Sequence, residues 1–226
     1  SALPYLQAAA KKLCRQNPNP YDGEPFYHLG LCLLGLSREE EAYDAFYKAT
    51  WNAAWQSQGF YQLSLIDARR RDYPLALDHV SKSLVYNAHH MQARGLKARL
   101  LLYLGREKEA LDYAAKSLTI DPLDLPSQLV LGNFDAVWRI LSGNHNTAIE
   151  LALELKSGGF YKEALAFLEE FLTRLDDPGR AYPLVYYHLG SLCLKLQDKK
   201  AALRYFEAGE TAPSFGCFPH RDRKSV

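Results

Sequence analysis

Long hydrophobic runs are missing from this 226-residue sequence; the longest, Leu29 to Leu36, is far too short to cross a bilayer, which takes about 20 apolar residues in a helix. Charge of one sign is missing as well. Lys and Arg total 27 against 26 Asp and Glu, a formal net charge of +1, so no whole-molecule attraction to nucleic acid or to an anionic membrane is expected. Acidic residues such as Glu39, Glu40, Glu41, Asp44, Asp78 and Asp112 also interrupt the basic ones, which excludes the continuous basic groove that a base-by-base RNA reader needs. Cysteine is sparse: Cys14, Cys32, Cys193 and Cys217 lack paired metal-ligand or redox spacing, and a chain of this length needs no disulfide staple. Reduced, mostly buried thiols are expected.

Motifs of chemistry are also lacking. There is no phosphate loop, nucleophile elbow or helical HExxH pattern. His89-His90 is the only adjacent histidine pair; at the predicted start of a helix its side chains would diverge by about 100°, a poor arrangement for one metal, and a solvated turn is expected there. His28 and His188 are expected to pack within hairpins. The reading is a non-catalytic protein with no cofactor and no metal. Ser1-Ala2-Leu3-Pro4 shows neither a signal peptide nor an initiator Met, and Arg221-Asp222-Arg223-Lys224-Ser225-Val226 carries no lipidation signal. The expectation is a domain excised from a longer chain, in a cytoplasmic setting.

What the sequence does contain is a repeat. A shift of 34 residues aligns Gly30, Ser64, Ala98 and Gly132, all small enough for two helices to approach closely. It also aligns Ala42, Ala76 and Ala110, then Phe46, Val80 and Ala114, then Ala49, Ser83 and Ser117, and finally Ala54, Ala88 and Pro122, where a second helix should stop. Small columns, an apolar column and a stop in one period describe a helix-turn-helix unit whose neighbours complete its core. Ser37-Arg38-Glu39-Glu40 reads as a capping box, Asp72 before Tyr73-Pro74 as a helix start, and Gly105 as a helix end.

This unit resembles the tetratricopeptide repeat. The hallmark columns are Phe26-Leu29-Gly30-Leu33 with Ala42-Phe46-Ala49, Leu101 and Ala110 with Asp121-Pro122, and Tyr186-Leu189-Gly190-Cys193 with Ala202-Phe206-Gly209 before Pro213. The fold class expected is all-α, a right-handed superhelical solenoid of helix-turn-helix repeats. Residues 1–21 should form a helix near Leu3–Arg15 and a linker at Asn17-Pro18-Asn19-Pro20. Residues 22–123 should hold three regular hairpins, and 124–146 an irregular helix from about Leu125 to Leu141 and a break at Ser142–Asn146, as though one half-repeat were missing. Two further hairpins should follow over 147–211, with Gly158-Gly159 in the first turn, and then a tail over 212–226.

In this family the first helices of the hairpins line a concave groove, so the resemblance implies that their outward residues meet the ligand. Helical projection places Tyr27, Leu31, Tyr61, Leu65, Arg69, Arg99, Tyr103, Asn133 and Tyr187 on that face. Tyrosine and arginine are enriched in binding surfaces, and an acidic or mixed peptide would suit them; packing between hairpins is the alternative for each tyrosine, and a solvated helix end for Arg69-Arg70-Arg71. One subclass of the family clamps chaperone tails with Lys and Asn. Here Tyr27, Leu31, Leu65, Gln92 and Leu96 occupy those columns, so that chemistry is not expected. The expected partner is a protein or peptide, another domain of the same parent chain, or a second copy in a homo-oligomer, with no nucleic acid and no membrane. The stretches Asn19-Pro20-Tyr21-Asp22-Gly23-Glu24 and Phe215-Gly216-Cys217-Phe218-Pro219 also resemble helical-repeat regions of large bacterial proteins with a carbohydrate-enzyme-like part. That resemblance implies a second reading, an accessory domain of a glycan-active enzyme whose groove tyrosines stack on sugar rings.

Overall fold

Where small and apolar residues recur at helical spacing, the chain is helical, and where a residue turns left-handed, the helix ends. The computed structural model describes residues 2–16, 19, 21–175, 177 and 181–213. Among these the α-helices are α1 (Leu3–Leu13), α2 (Glu24–Gly35), α3 (Glu39–Ala49), α4 (Gln56–Arg69), α5 (Tyr73–Tyr86), α6 (Met91–Tyr103), α7 (Glu107–Leu118), α8 (Leu125–Val130), α9 (Phe134–Leu141), α10 (His145–Ser157), α11 (Tyr161–Thr173), α12 (Pro183–Lys195) and α13 (Lys199–Thr211). A short 3-10 turn, Ala53–Trp55, leads into α4. The described residues contain no strand, and none of their helices is long and apolar enough to cross a membrane. The fold of the described residues is all-α and built of helical hairpins. The chain divides after Asn133 into two compact units, Ser1–Asn133 and Phe134–Val226.

In the first unit the repeated columns are the core. Ala42, Ala76 and Ala110, then Phe46, Val80 and Ala114, are all 0% exposed. Ala49, Ser83 and Ser117 are 0% exposed too, so each second helix turns one stripe wholly inward. Against that stripe the first helices present Gly30, Ser64 and Ala98, all buried. An ideal Cβ added to Gly30 would come within 2.6 Å of Phe46 Cε1, so glycine is what permits the crossing. The second unit repeats the device, with Gly190 against the Phe206 ring.

Hairpin turns close through residues with positive φ: Ser37 (59°), Arg71 (64°), Gly105 (71°), Gly159 (83°) and Gln197 (66°). The first three lie 34 residues apart and follow their helices as left-handed caps. Ser37 is therefore a turn residue and not the head of a capping box. Arg38 stands at the N-cap of α3 without a side-chain cap bond, and its guanidinium instead takes both oxygens of Glu41 at 2.6 Å. Asp72 does cap α5, accepting from the Leu75 amide at 3.1 Å.

The single helix expected over 125–141 is two short ones. Gly132, at φ +70°, makes a left-handed turn between α8 and α9, and a Cβ there would meet nothing within 4 Å. Gly132 thus belongs to the turns and not to the close-packing column of Gly30, because the chain shortens the helix before it to six residues. Ser142 (45°) and Gly143 (74°) then turn the chain into α10, which Asn144 caps by accepting from the Asn146 and Thr147 amides.

Of the described thiols, Cys193 is buried and Cys14 and Cys32 are half-buried. The described thiols are thus less buried than the expectation of mostly buried ones. Cys217, the Phe215–Pro219 stretch and Asn17, Pro18 and Pro20 lie outside the described residues.

Candidate functional site

The first helices of the first unit are α2, α4 and α6. Of the projected surface residues, Leu31 and Tyr103 are exposed, while Tyr27, Arg69 and Arg99 are half-buried. Tyr61 and Leu65 do not belong to the surface: they are 6% and 5% exposed. The reason is tertiary. α4 packs between the α2–α3 hairpin and α5, and nearly the whole of Leu63–Ala68 is enclosed, so the side of α4 that carries Tyr61 and Leu65 closes. Tyr61 lies under His90, with ring centroids 4.6 Å apart. Asn133 stands in the turn after α8, where its amide donates to Gln128 Oε1 at 2.8 Å, rather than on a first helix. Tyr187 is exposed in the second unit, on α12.

The open stripe is offset by one residue. The column Glu24, Gln58 and Gln92 is accessible in all three first helices, and so are His28 and Gln62 of the next column. Gln62 Nε2 donates to the Tyr27 hydroxyl at 3.4 Å, and Gln58 Oε1 lies 3.4 Å from His90 Nε2. Both amides are therefore oriented from behind, with polar capacity left toward the open side. Beside them an aromatic corner forms: Tyr27 and Trp55 centroids are 4.9 Å apart, and His28 and Trp55 are 5.9 Å apart. Helical projection missed Gln58, Gln62 and Trp55; the spacing of Gln58 and Gln62 by four residues, which puts them on one face of α4, is the signal for the two glutamines.

Charge on this face is mostly spent internally. Arg69 pairs with Glu39 at 2.9 Å, and Arg70 with Glu39 and Glu40 at 3.3 and 2.8 Å. The arginine run is thus an inter-helix brace, more than a solvated end. The histidine pair divides: His89 is exposed, whereas His90 is 6% exposed and accepts from the Ala93 amide at 3.3 Å. His90 is therefore a buried helix cap and not part of a solvated turn, and burial holds its basicity below the usual histidine range. His28 is exposed, with Glu24 at 3.7 Å on one side and the edge contacts to Tyr27 and Trp55 on the other.

Behind the stripe a polar network ties hairpins together. His79 Nδ1 and Asp67 Oδ2 are 2.6 Å apart with side chains 7% and 2% exposed. Tyr43 shares the Asp67 carboxylate, and burial followed by the charge of Asp67 pushes its hydroxyl up to about 12. This joins α3, α4 and α5 at one point in the interior, a structural role.

In the second unit a cleft of about 610 Å³ lies among α9, α10 and α11 beside Trp138, His145, Phe171 and Arg174. Its aromatic faces are already used: Trp138 stacks on Phe167 at 5.5 Å, Arg174 covers the Trp138 ring at 4.8 Å, and His145 stacks on Tyr182 at 4.1 Å. The first helices α10 and α12 meet through Lys156 Nζ, which donates to Ser191 Oγ at 2.7 Å.

No curated protein matches the sequence. Among solved structures, the chain is similar to a tetratricopeptide repeat protein from Parabacteroides merdae, 20% identical with a TM-score of 0.50 over 93% of this chain and 85% of that one. It is also similar to YrrB, described as a TPR protein with an unusual peptide-binding site, at 17% identity and a TM-score of 0.46 over 92% and 94% of the two chains. A third is the 41-to-end part of MamA from Desulfovibrio magneticus, at 18% identity and a TM-score of 0.44 over 83% and 93%. The family model described as the tetratricopeptide repeat matches residues 92–122 and 184–211, which are the α6–α7 and α12–α13 hairpins. One such match falls in each unit, so the α6–α7 and α12–α13 hairpins are tetratricopeptide repeats by their likeness to the family model.

Proposed function

We propose that this chain is a non-catalytic interaction scaffold that holds an extended protein segment, from a partner or from a neighbouring domain, along the first helices of the unit Ser1–Asn133. The observation that carries the reading is the repeated open column Glu24, Gln58 and Gln92, flanked by Gln62, Leu31, Arg99 and Tyr103. Glutamine amides both donate and accept, which suits the alternating groups of an extended backbone, while Leu31 and Tyr103 offer apolar contact. The ion pair of Arg69 with Glu39 removes much of its attraction for an acidic peptide, so the ligand favoured is a mixed-polarity segment. A scaffold built of packed helices binds with little ordering cost of its own.

The test is selection from a random peptide library, followed by calorimetry with Leu31→Ala, Gln62→Ala and Arg99→Ala. Each lost side-chain contact should weaken the selected peptide by about three- to tenfold. Selected peptides that bind all three variants as tightly as the parent protein would sink the reading. Oligosaccharides form the second arm; there, Tyr61 offers no face for a sugar, and binding lost on Tyr27→Ala would replace the peptide reading with the glycan one.

A further inference from the structure

The second unit gathers cations on one strip, and among the described residues no carboxylate forms an ion pair with them. His188, Ser191 and Lys195 lie at i, i+3 and i+7 on α12, which puts all three on one face of the helix. Lys156 reaches across from α10 and donates to Ser191 Oγ at 2.7 Å. α12 contains no acidic residue. The two carboxylates of α10, Glu150 and Glu154, project about 120° and 160° round the helix from Lys156. On α11, Glu169 accepts from the Tyr205 hydroxyl at 2.6 Å and Glu170 holds Arg174 at 2.8 Å. The electrostatics agree with the geometry. Burial and then Lys195 lower the basicity of Lys156, and burial and then Lys156 lower that of His188. Like charges gathered without a counter-charge are costly in the free protein and are relieved by an anion.

We propose that Lys156, His188, Ser191 and Lys195 form an oxyanion site for a phosphoryl group carried on a phosphorylated protein segment. Two ammonium groups match a phosphoryl charge of about −1.5 to −2, whereas a single carboxylate would leave one lysine unbalanced. Ammonium groups act as compact point charges without the planar fork that selects carboxylates. The Ser191 hydroxyl and the imidazole N–H add two neutral donors for the remaining oxygens. The site stands on residues of the second unit alone; only the identity of the carrier, a protein segment, rests on the scaffold reading above.

The experiment follows the His188 ring by proton–carbon NMR in the full chain, the resonance being identified by His188→Gln. Inorganic phosphate, acetate and the peptide acetyl-Gly-phosphoserine-Gly-amide are titrated at constant ionic strength. Expected are a saturable shift with phosphate, a rise in the His188 pKa on binding, and tighter binding of the phosphopeptide than of free phosphate. Lys156→Gln should weaken both by about tenfold or more. Lys195→Gln, at an exposed position, should weaken them severalfold. Acetate binding as tightly as phosphate overturns the phosphoryl assignment, and titrations unchanged in both lysine variants overturn the site. Phosphate binding with no gain from the phosphopeptide overturns the carrier while leaving the unit-one peptide test unaffected.

Discussion

Replacing Gly30 by alanine should destabilise the protein more than the same change at Gly190, although both glycines stand at one position of the same repeat. A Cβ at Gly30 would lie 2.6, 2.7 and 2.8 Å from Cε1, Cδ1 and Cζ of Phe46. Phe46 is 0% exposed and packed with Leu33, Ala42, Leu63 and Ile66, so its ring has nowhere to go. Overpacking of this kind costs about 1–3 kcal/mol. Alanine returns about 0.8–1 kcal/mol over glycine inside a helix, which leaves a net loss of about 1 kcal/mol and at most about 2. Gly190 would meet Phe206 as closely, with Cδ1 at 2.7 Å. Phe206, however, is only half-buried on the last described helix and can swing outward, so propensity and strain nearly cancel. Urea unfolding followed by circular dichroism measures both variants, and a loss of 1 kcal/mol corresponds to roughly 2–4 °C in Tm for a chain of this size. Adding Phe46→Leu to Gly30→Ala should restore part of the loss. A neutral or stabilising Gly30→Ala, or a Gly190→Ala that costs as much, refutes the reasoning.

Removing the imidazole in His79→Ala leaves the Asp67 carboxylate buried without its partner and should cost about 3–5 kcal/mol in chemical denaturation; Asp67→Ala in the same background should recover part of it. Tyr43 has a folded pKa raised from 10 to about 12, so its contribution to stability is complete below pH 10 and lost as pH rises through about 12. Absorbance at alkaline pH should show that late ionisation, and Tyr43→Phe should abolish it; a Tyr43 that ionises with the exposed tyrosines contradicts the network. Asp72→Ala removes the side-chain cap of α5 and should cost about 1 kcal/mol by thermal unfolding, whereas Ser37→Ala, which removes no cap, should not reproduce a cap loss.

Much of the fold is legible in single columns. Ala42, Ala76 and Ala110 recur at the 34-residue step and are all 0% exposed, and Gly30 and Gly190 fall at the crossings. The site is less legible. Tyr27 and Tyr61 share a column, yet one is half-buried beside Trp55 and the other is enclosed under His90. That difference depends on how many neighbours each first helix has: α2 is flanked by α1 on one side, whereas α4 lies between two hairpins. Gly132 misleads for a related reason. Its small size fits a crossing and a turn equally, and only the backbone, at φ +70°, separates the two. His90 reads as a polar residue in a loop until Tyr61 covers it.

By itself the sequence determined the period, the all-α class, the inward stripe on the second helices of the first unit and the small residues at its helix crossings, because these depend on residue size and spacing within one hairpin. Tertiary structure alone decided which column of each first helix stays open, where the chain divides after Asn133, and that Lys156 and Ser191, 35 residues apart, meet at 2.7 Å. Those features arise from the stacking of one hairpin on the next, and stacking is a property of pairs of helices that no single helical period contains.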